Sequence, residues 1–346
     1  MAKHFNKGLV FADWPEADRE RFLALSEAVD MFDDVPWSTL SESSLRGLKY
    51  AYGLWLGFVL NAHPGLVGVS AEERVTRDAV RCYVEQLRRN CTETTVGVAL
   101  QRLRLTIRAL APERDWSWLH KIERRIVKGA RPLERPRATT PDLYQVGLDL
   151  IRDARNKSEI FDLPILSQAE QFRDGLMIAV LVEAPMRRGC LAKLELEKHV
   201  TKVGAHWNIY VPAEMTKTGE AQDYSISVEL GTLLDEYLAK YRPVFPKADQ
   251  HLGLWPYESQ PMTDKMVRRY IRRHTEQRLG VAISPHGFRR GAASFIAQAD
   301  PANVRMAKDL LGHTSFAMTE KHYIHSAASR IAGNALAEVI AEKSVR

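Results

Sequence analysis

The sequence predicts a mainly α-helical protein with a small β-sheet, in two domains joined by a short basic linker. Hydrophobic residues recur at helical spacing through most of the 346 residues. That period breaks within "HWNIYVPAEMTKTGEAQDYSISVEL", where two runs of aromatic and β-branched residues flank a Thr-Lys-Thr-Gly turn, the pattern of a hairpin. Between Gly129 and Pro141, "GARPLERPRATTP" holds three prolines and no hydrophobic period, which marks a linker. The expected division is a helical domain over 1–130, a basic linker over 131–141, and a second domain over 142–346 with a C-terminal helical tail.

In chain order, "SESSLRGLKYAYGLWLGFVLNA" opens with serines able to cap a helix and closes at "HPG". Its aromatic segment "YGLWLGFV" reads as helix core. "AEERVTRDAVRCYVEQLRRN" and "TETTVGVALQRLRLTIRALA" continue the helical pattern, followed by the short basic "SWLHKIERRIVKGARP". Beyond the linker, helices are expected at "PDLYQVGLDLIRDARN", at "LSQAEQFRDGLMIAVLVEA" and from Arg187 in "RRGCLAKLELEKHV". After the hairpin they resume at "GTLLDEYLAKYRP", "TDKMVRRYIRRHTEQRL", "GFRRGAASFIAQA", "ANVRMAKDLLG" and "SAASRIAGNALAEVIAEKS".

Composition narrows the function. Hydrophobic residues at 45% and charged residues at 27% are those of a globular protein, so neither disorder nor a fibrous repeat is implied. No stretch reaches the roughly twenty apolar residues of a membrane span, and the N-terminus lacks the apolar run of a signal peptide. The three cysteines suggest neither a disulfide framework nor a thiolate metal site, and a reducing, cytoplasmic location is expected. A net charge of +6 permits a nucleic-acid partner. Around the linker Lys121, Arg124, Arg125, Lys128, Arg131, Arg135 and Arg137 face only Glu123 and Glu134, which suits either a solvated face or a track along a phosphate backbone.

Four segments carry chemistry. "APMRRGCLAKL" places Arg187 where a turn opens a helix; "PHGFRRGAAS" sets His286 three residues before Arg289; "LLGH" ends on His313; and "MTEKHY" ends on Tyr323. Lys217 lies in the hairpin turn "MTKTGE". The intervals are 30 residues from Arg187 to Lys217, 69 to His286, 27 to His313 and 10 to Tyr323. Taken singly, these residues have ordinary readings: His313 can finish a helix, Tyr323 can be a partly buried aromatic, and His322 and His325 with His313 invite a metal site for which no tight ligand spacing exists.

Taken together and in this order, the segments resemble the tyrosine recombinases, the phage integrase family. The resemblance covers residues 140–330 by motif, and the first half only by its helical character. It implies an N-terminal helical DNA-binding domain and a mixed α/β catalytic domain that grip a duplex from two faces. It also implies site-specific DNA recombination through a 3'-phosphotyrosyl intermediate, on a mobile element or in replicon maintenance. Arg187 and Arg289 clamp the nonbridging oxygens of the attacked phosphate, whose extra negative charge two guanidinium forks suit. His313 donates to a nonbridging oxygen, and Lys217 protonates the leaving oxygen. His286 accepts a proton from, or orients, the nucleophile Tyr323, whose phenol needs activation because its pKa lies near 10. The cations do what a divalent metal would, so neither metal nor cofactor is expected. The expected partners are double-stranded DNA, a homotetramer on two duplexes and an accessory directionality protein, with no membrane. The runners-up are a non-catalytic DNA-binding accessory protein on the same fold and a type IB topoisomerase-like relaxing enzyme. The chain departs from the family in three places: Cys190 stands where many relatives carry a glutamate that orients the active-site helix, and Gly287 and Gly291 replace an aspartate and a threonine. Cys190 and Arg290 are expected to support the site rather than to react.

Overall fold

The computed structural model describes residues 8–27, 35–66, 68–130, 137–158 and 164–299. The chain separates into two compact units, Met1–Glu134 and Arg135–Arg346. Among the described residues the β-structure is five short strands and two isolated bridges, and the other regular elements are helical.

The first unit is built from α1 (Glu16–Ala24), α2 (Glu42–Ala62), α3 (Ala71–Arg74), α4 (Arg77–Arg88), α5 (Glu93–Leu110) and α6 (Ser117–Gly129). Ser41 starts α2 by accepting from the Ser44 amide, and Thr92 does the same for α5 through Thr95. The aromatic run in α2 is core: Tyr52, Trp55 and Phe58 are buried against Tyr83, Leu100, Leu103 and Ile107. The single helix expected over 71–90 is two. Val75 and Thr76 leave helical geometry, and the Thr76 hydroxyl caps α4 by accepting from the Ala79 amide at 3.1 Å. A buried Asp18 accepts from Tyr52 and forms an ion pair with Arg74, tying α1 to α2 and α3.

The second unit has its own core. Helices α7 (Thr140–Ser158) and α8 (Leu166–Glu183) pack closely because each offers a glycine to the other. A Cβ on Gly147 would stand 2.8 Å from the Gly175 carbonyl oxygen, and one on Gly175 would stand 2.7 Å from that of Gly147. Glu183 at the end of α8 accepts from the Tyr144 hydroxyl and from both the amide and hydroxyl of Ser227, joining three elements. A helix expected to run on from Arg187 stops after one turn, as α9 (Arg188–Ala192). Beyond it the backbone groups are claimed by an extended segment: the Leu254 amide bonds to Leu194 O and the Leu196 amide to Leu252 O, both at 2.8 Å.

The predicted hairpin is present with a third strand beside it. β1 (Val200–Val203), β2 (His206–Val211) and β3 (Gln222–Ser225) form an antiparallel sheet in that order, with Val200 opposite Ile209 and Ile209 opposite Tyr224. Alternation along β3 buries Gln222 and Tyr224 and exposes Asp223 and Ser225. α10 (Val228–Glu236) follows and widens into a π-type turn over Tyr237–Tyr241. A small hairpin of β4 (Pro256–Tyr257) and β5 (Gln260–Pro261) leads to α11 (Asp264–Leu279) and α12 (Pro285–Ala299). A buried network fastens α8 to α11. Asp174 accepts from Arg173 on its own helix and from His274 Nε2 at 2.8 Å, while Arg173 Nη1 reaches the Pro256 carbonyl at 2.7 Å. The segments "ANVRMAKDLLG" and "SAASRIAGNALAEVIAEKS" lie outside the described residues.

Candidate active site

Arg187 is the N-cap of α9, with extended backbone and a carbonyl that accepts from the Cys190 and Leu191 amides. Pro185 ends the preceding helix two residues earlier, so the side chain at 187 leaves a sharp turn rather than a helix face. The residue is half-buried, and its Nη1 is buried with no hydrogen-bond partner among the described residues. A buried N–H without an acceptor is costly unless a ligand supplies one.

Arg289 approaches from α12. Pro285 opens that helix with a ring suited to its first turn. His286 at the next position is exposed, and Arg289, one turn further, is only 4% exposed. Its Nη1 donates to the Pro185 carbonyl, which places it against the turn that carries Arg187. The two guanidiniums share two neighbours, the Cys190 thiol and the Tyr224 phenol, and act electrostatically on both. Burial pushes the Cys190 thiol above its ordinary range, and the Arg187 and Arg289 charges pull it back. Burial likewise pushes the Tyr224 phenol up to about 12, opposed by Arg289, which hydrogen-bonds it, and by Arg187.

Lys217 is exposed in the loop between β2 and β3. That loop turns back through Gly219, whose φ of +69° suits a residue without Cβ. Its root is tied to the arginine turn, because Cys190 Sγ donates to the Met215 carbonyl at 3.3 Å. Thus Arg187, Cys190, Arg289 and the base of the lysine loop come together, with His286 at the exposed start of the same helix as Arg289. His313 and Tyr323 lie outside the described residues, as do Arg131 and Arg135.

The two glycines expected to stand in place of an aspartate and a threonine are closely packed. A Cβ on Gly287 would meet Ile283 Cγ2 at 2.6 Å, and one on Gly291 would meet Thr140 Oγ1 at 3.3 Å. Ile283 already occupies the first place, and Thr140 crowds the second. Arg290 is half-buried beside them. Lys121, Arg124, Arg125 and Lys128 are exposed on α6, and Arg137 is exposed beyond it. The acid among them, Glu123, is buried and paired with Arg104 at 2.6 Å, which leaves that face of α6 more cationic than the sequence count suggests.

Sequence reasoning missed two features. Tyr224 has no motif around it and reads as a strand residue. On α11, Lys265, Arg268, Arg269, Arg272 and Arg273 are all exposed at helical intervals of i, i+3, i+4, i+7 and i+8, a single cationic stripe. Its spacing in "DKMVRRYIRRHTEQRL" was the signal. Arg188 Nη2 bonds Asp264 Oδ2 at 2.6 Å, so the stripe begins next to the Arg187 turn. Among the described residues no cluster of three or more His, Cys, Asp or Glu side chains could hold a metal, and no helix is long and apolar enough to cross a membrane.

The model of the phage integrase family matches residues 155–330, just over half of the chain. Solved structures of similar fold include a XerH site-specific recombinase bound to a palindromic difH substrate in a post-cleavage complex. That likeness has TM-score 0.56 at 15% identity, covering 86% of this chain and 80% of that one. A Tn1549 transposon integrase in complex with transposon right-end DNA matches with TM-score 0.56 at 14% identity, covering 85% of this chain and 94% of that one. A lambda integrase dimer bound to a COC' core site matches with TM-score 0.51 at 16% identity, covering 88% and 75%. At such identities the structures speak to the fold alone. No curated protein matches the sequence.

Proposed function

The chain belongs to the phage integrase family and is a DNA strand transferase of the tyrosine-recombinase type; from that premise we propose that Arg187 and Arg289 are the clamp that holds the phosphate under attack. The observation that carries this reading is the Nη1 of Arg187, buried and without a partner among the described residues, close to a second guanidinium that acts on the same thiol and phenol. Two guanidiniums close to the same groups suit a pentacoordinate phosphorus, whose equatorial oxygens gain charge as the nucleophile arrives.

In the reaction proposed, the Tyr323 oxygen attacks phosphorus and passes its proton to His286. The bond to the 5'-oxygen breaks, Lys217 protonates that oxygen, and a 3'-phosphotyrosyl link remains. His313 donates to a nonbridging oxygen. A 5'-hydroxyl from a partner duplex then attacks the link and releases Tyr323. The bond energy stays in the covalent link, so no nucleotide hydrolysis is needed. Placing Lys217 on a loop rooted at Met215 lets the acid reach the leaving group without moving the clamp.

The duplex is held by cationic faces. We assign phosphate contacts to the exposed stripe of α11 and to Lys121, Arg124, Arg125, Lys128, Arg131, Arg135 and Arg137, with both units contacting one duplex and four copies acting on two duplexes. The XerH recombinase bound to its difH substrate and the Tn1549 integrase bound to transposon right-end DNA share this fold, which fits a DNA ligand for the chain. A directionality protein and a role on a mobile element fit the same reading.

The test is covalent capture. Duplex recovered from a random-sequence pool by binding to the full-length chain, then nicked at successive positions, should yield an SDS-stable protein–DNA adduct with the wild type and none with Tyr323→Phe. Transfer of the captured strand to a second duplex marks a recombinase; relaxation of supercoils without transfer marks a topoisomerase. Absence of any wild-type adduct sinks the catalytic reading and leaves a DNA-binding protein. In the same titrations Arg269→Ala and Arg272→Ala should each lower the slope of log affinity against log salt by about 1.

A further inference from the structure

The clamp proposed above must be aimed before DNA arrives, and the structure shows what aims one half of it. Arg289 is 4% exposed, so every N–H not reserved for the phosphate needs an acceptor within the fold. One goes to the Pro185 carbonyl and another to the Tyr224 hydroxyl. Both acceptors are neutral. They fix the plane of the guanidinium without cancelling the charge that a phosphate would feel.

Tyr224 is itself rigidly held. It is 4% exposed on β3, directly opposite Ile209 on the central strand, and its neighbours Gln222 and Ile226 point the same way. The hydroxyl therefore reports the position of the sheet to Arg289, and that same sheet carries the Lys217 loop. Cys190 cannot serve in its place. A thiol is a weak acceptor, and its Sγ is turned to donate to Met215 O at the root of the lysine loop. A carboxylate at 190 would set one acceptor against another there, because it has no proton to donate to the Met215 carbonyl. The chain has a thiol that donates to the loop and a phenol that accepts from the arginine.

We infer that Tyr224 is a positioning residue for strand cleavage: its hydroxyl aims Arg289 at the phosphate and couples the arginine clamp to the strand pair that carries Lys217. The inference rests on the clamp reading of Arg187 and Arg289. It concerns a residue that no motif marks, and it assigns to the sheet a task that Cys190 cannot perform from α9.

Tyr224→Phe removes one oxygen and keeps the ring. In the full-length protein it should slow formation of the SDS-stable adduct by about 10- to 100-fold, the range expected for one hydrogen bond to a charged group. Affinity for the recovered duplex should stay within about twofold, because the stripe on α11 and the face of α6 are untouched. In an Arg289→Lys background the same change should cost little further, since lysine cannot use the phenol as the fork does; that non-additivity separates aiming from general packing. A second readout needs no DNA: orthovanadate, a phosphate transition-state mimic, should raise the wild-type melting temperature, and the concentration required should rise about tenfold in Tyr224→Phe.

Wild-type rates and vanadate response in Tyr224→Phe overturn the inference while leaving the catalytic reading intact. An equal loss in the Arg289→Lys background overturns it too, because the phenol would then act elsewhere. If the wild type forms no adduct yet Tyr224→Phe weakens vanadate binding, the catalytic reading falls and Tyr224 keeps its role as the residue that aims Arg289. If the wild type neither forms an adduct nor responds to vanadate, both fall.

Discussion

Gly287 lies on the first turn of α12, one residue after His286, in contact with the buried Ile283. The Ile283 amide is fixed by a 2.9 Å bond to Thr275 Oγ1, and a β-branched side chain has few rotamers to retreat into. Introducing an aspartate there, as the family resemblance would have it, therefore meets a carbon at 2.6 Å. Gly287→Asp is expected to lower stability by about 1 to 3 kcal/mol in urea titrations, and the added change Ile283→Val should leave most of that loss in place because the offending Cγ2 persists, whereas Ile283→Ala should relieve the contact. Equal midpoints for wild type and Gly287→Asp would show that the turn shifts freely. An aspartate at 287 thus has room only if Ile283 moves.

Among the elements, α7 and α8 depend most on small residues, because each backbone approaches the other at Gly147 and Gly175. A methyl at 175 would also press on Leu150 Cβ at 2.9 Å and Ile151 Cγ1 at 3.0 Å. Gly175→Ala gains helix propensity of about 1 kcal/mol, yet a forced separation of two packed helices should exceed that gain, so a net loss in thermal stability is expected. A rise in melting temperature would mean that the helices part without cost. The consequence reaches the site, since α8 leads straight into Pro185 and Arg187 and α12 packs against both helices. α11 is held differently, by the buried Asp174 carboxylate that gathers Arg173 and His274, with Arg273 further off at 3.7 Å. Removing one partner of such a cluster strands a buried charge.

Each unit holds its own core, and each core buries tyrosines. Burial raises the phenols of Tyr52 and Tyr83 in the first unit and of Tyr237 in the second, and pushes Tyr224 up to about 12. In the unfolded chain these groups titrate near pH 10. Folding therefore favours the protonated phenol: stability is fully present below about pH 10 and falls as pH climbs toward 12, by about 1.4 kcal/mol per pH unit for each such tyrosine. Urea midpoints at pH 9 and pH 11.5 should differ accordingly, with the first unit's five tryptophans dominating the fluorescence record. An unchanged midpoint would mean that the phenols are reached by water.

Much of this molecule was legible in its sequence. The long helices followed from period and capping, as at Ser41 and Thr92, because local hydrogen bonds and one apolar face are enough to specify them. Arg187, Lys217, His286 and Arg289 became candidates through the resemblance of their segments to a family pattern; the structure brings Arg187 and Arg289 to the same thiol and phenol and roots the Lys217 loop beside Cys190. Local pattern failed where partners come from far along the chain. The third strand, the early end of α9 at the 252–254 segment, the withdrawal of Glu123 onto Arg104 and the bond from Arg289 to Tyr224 are all long-range pairings. The sequence by itself determined the helices, the family and the order of the chemical groups. Only the tertiary structure decided which oxygen faces Arg289, because an acceptor 65 residues away becomes a neighbour only once the sheet and α12 share one core.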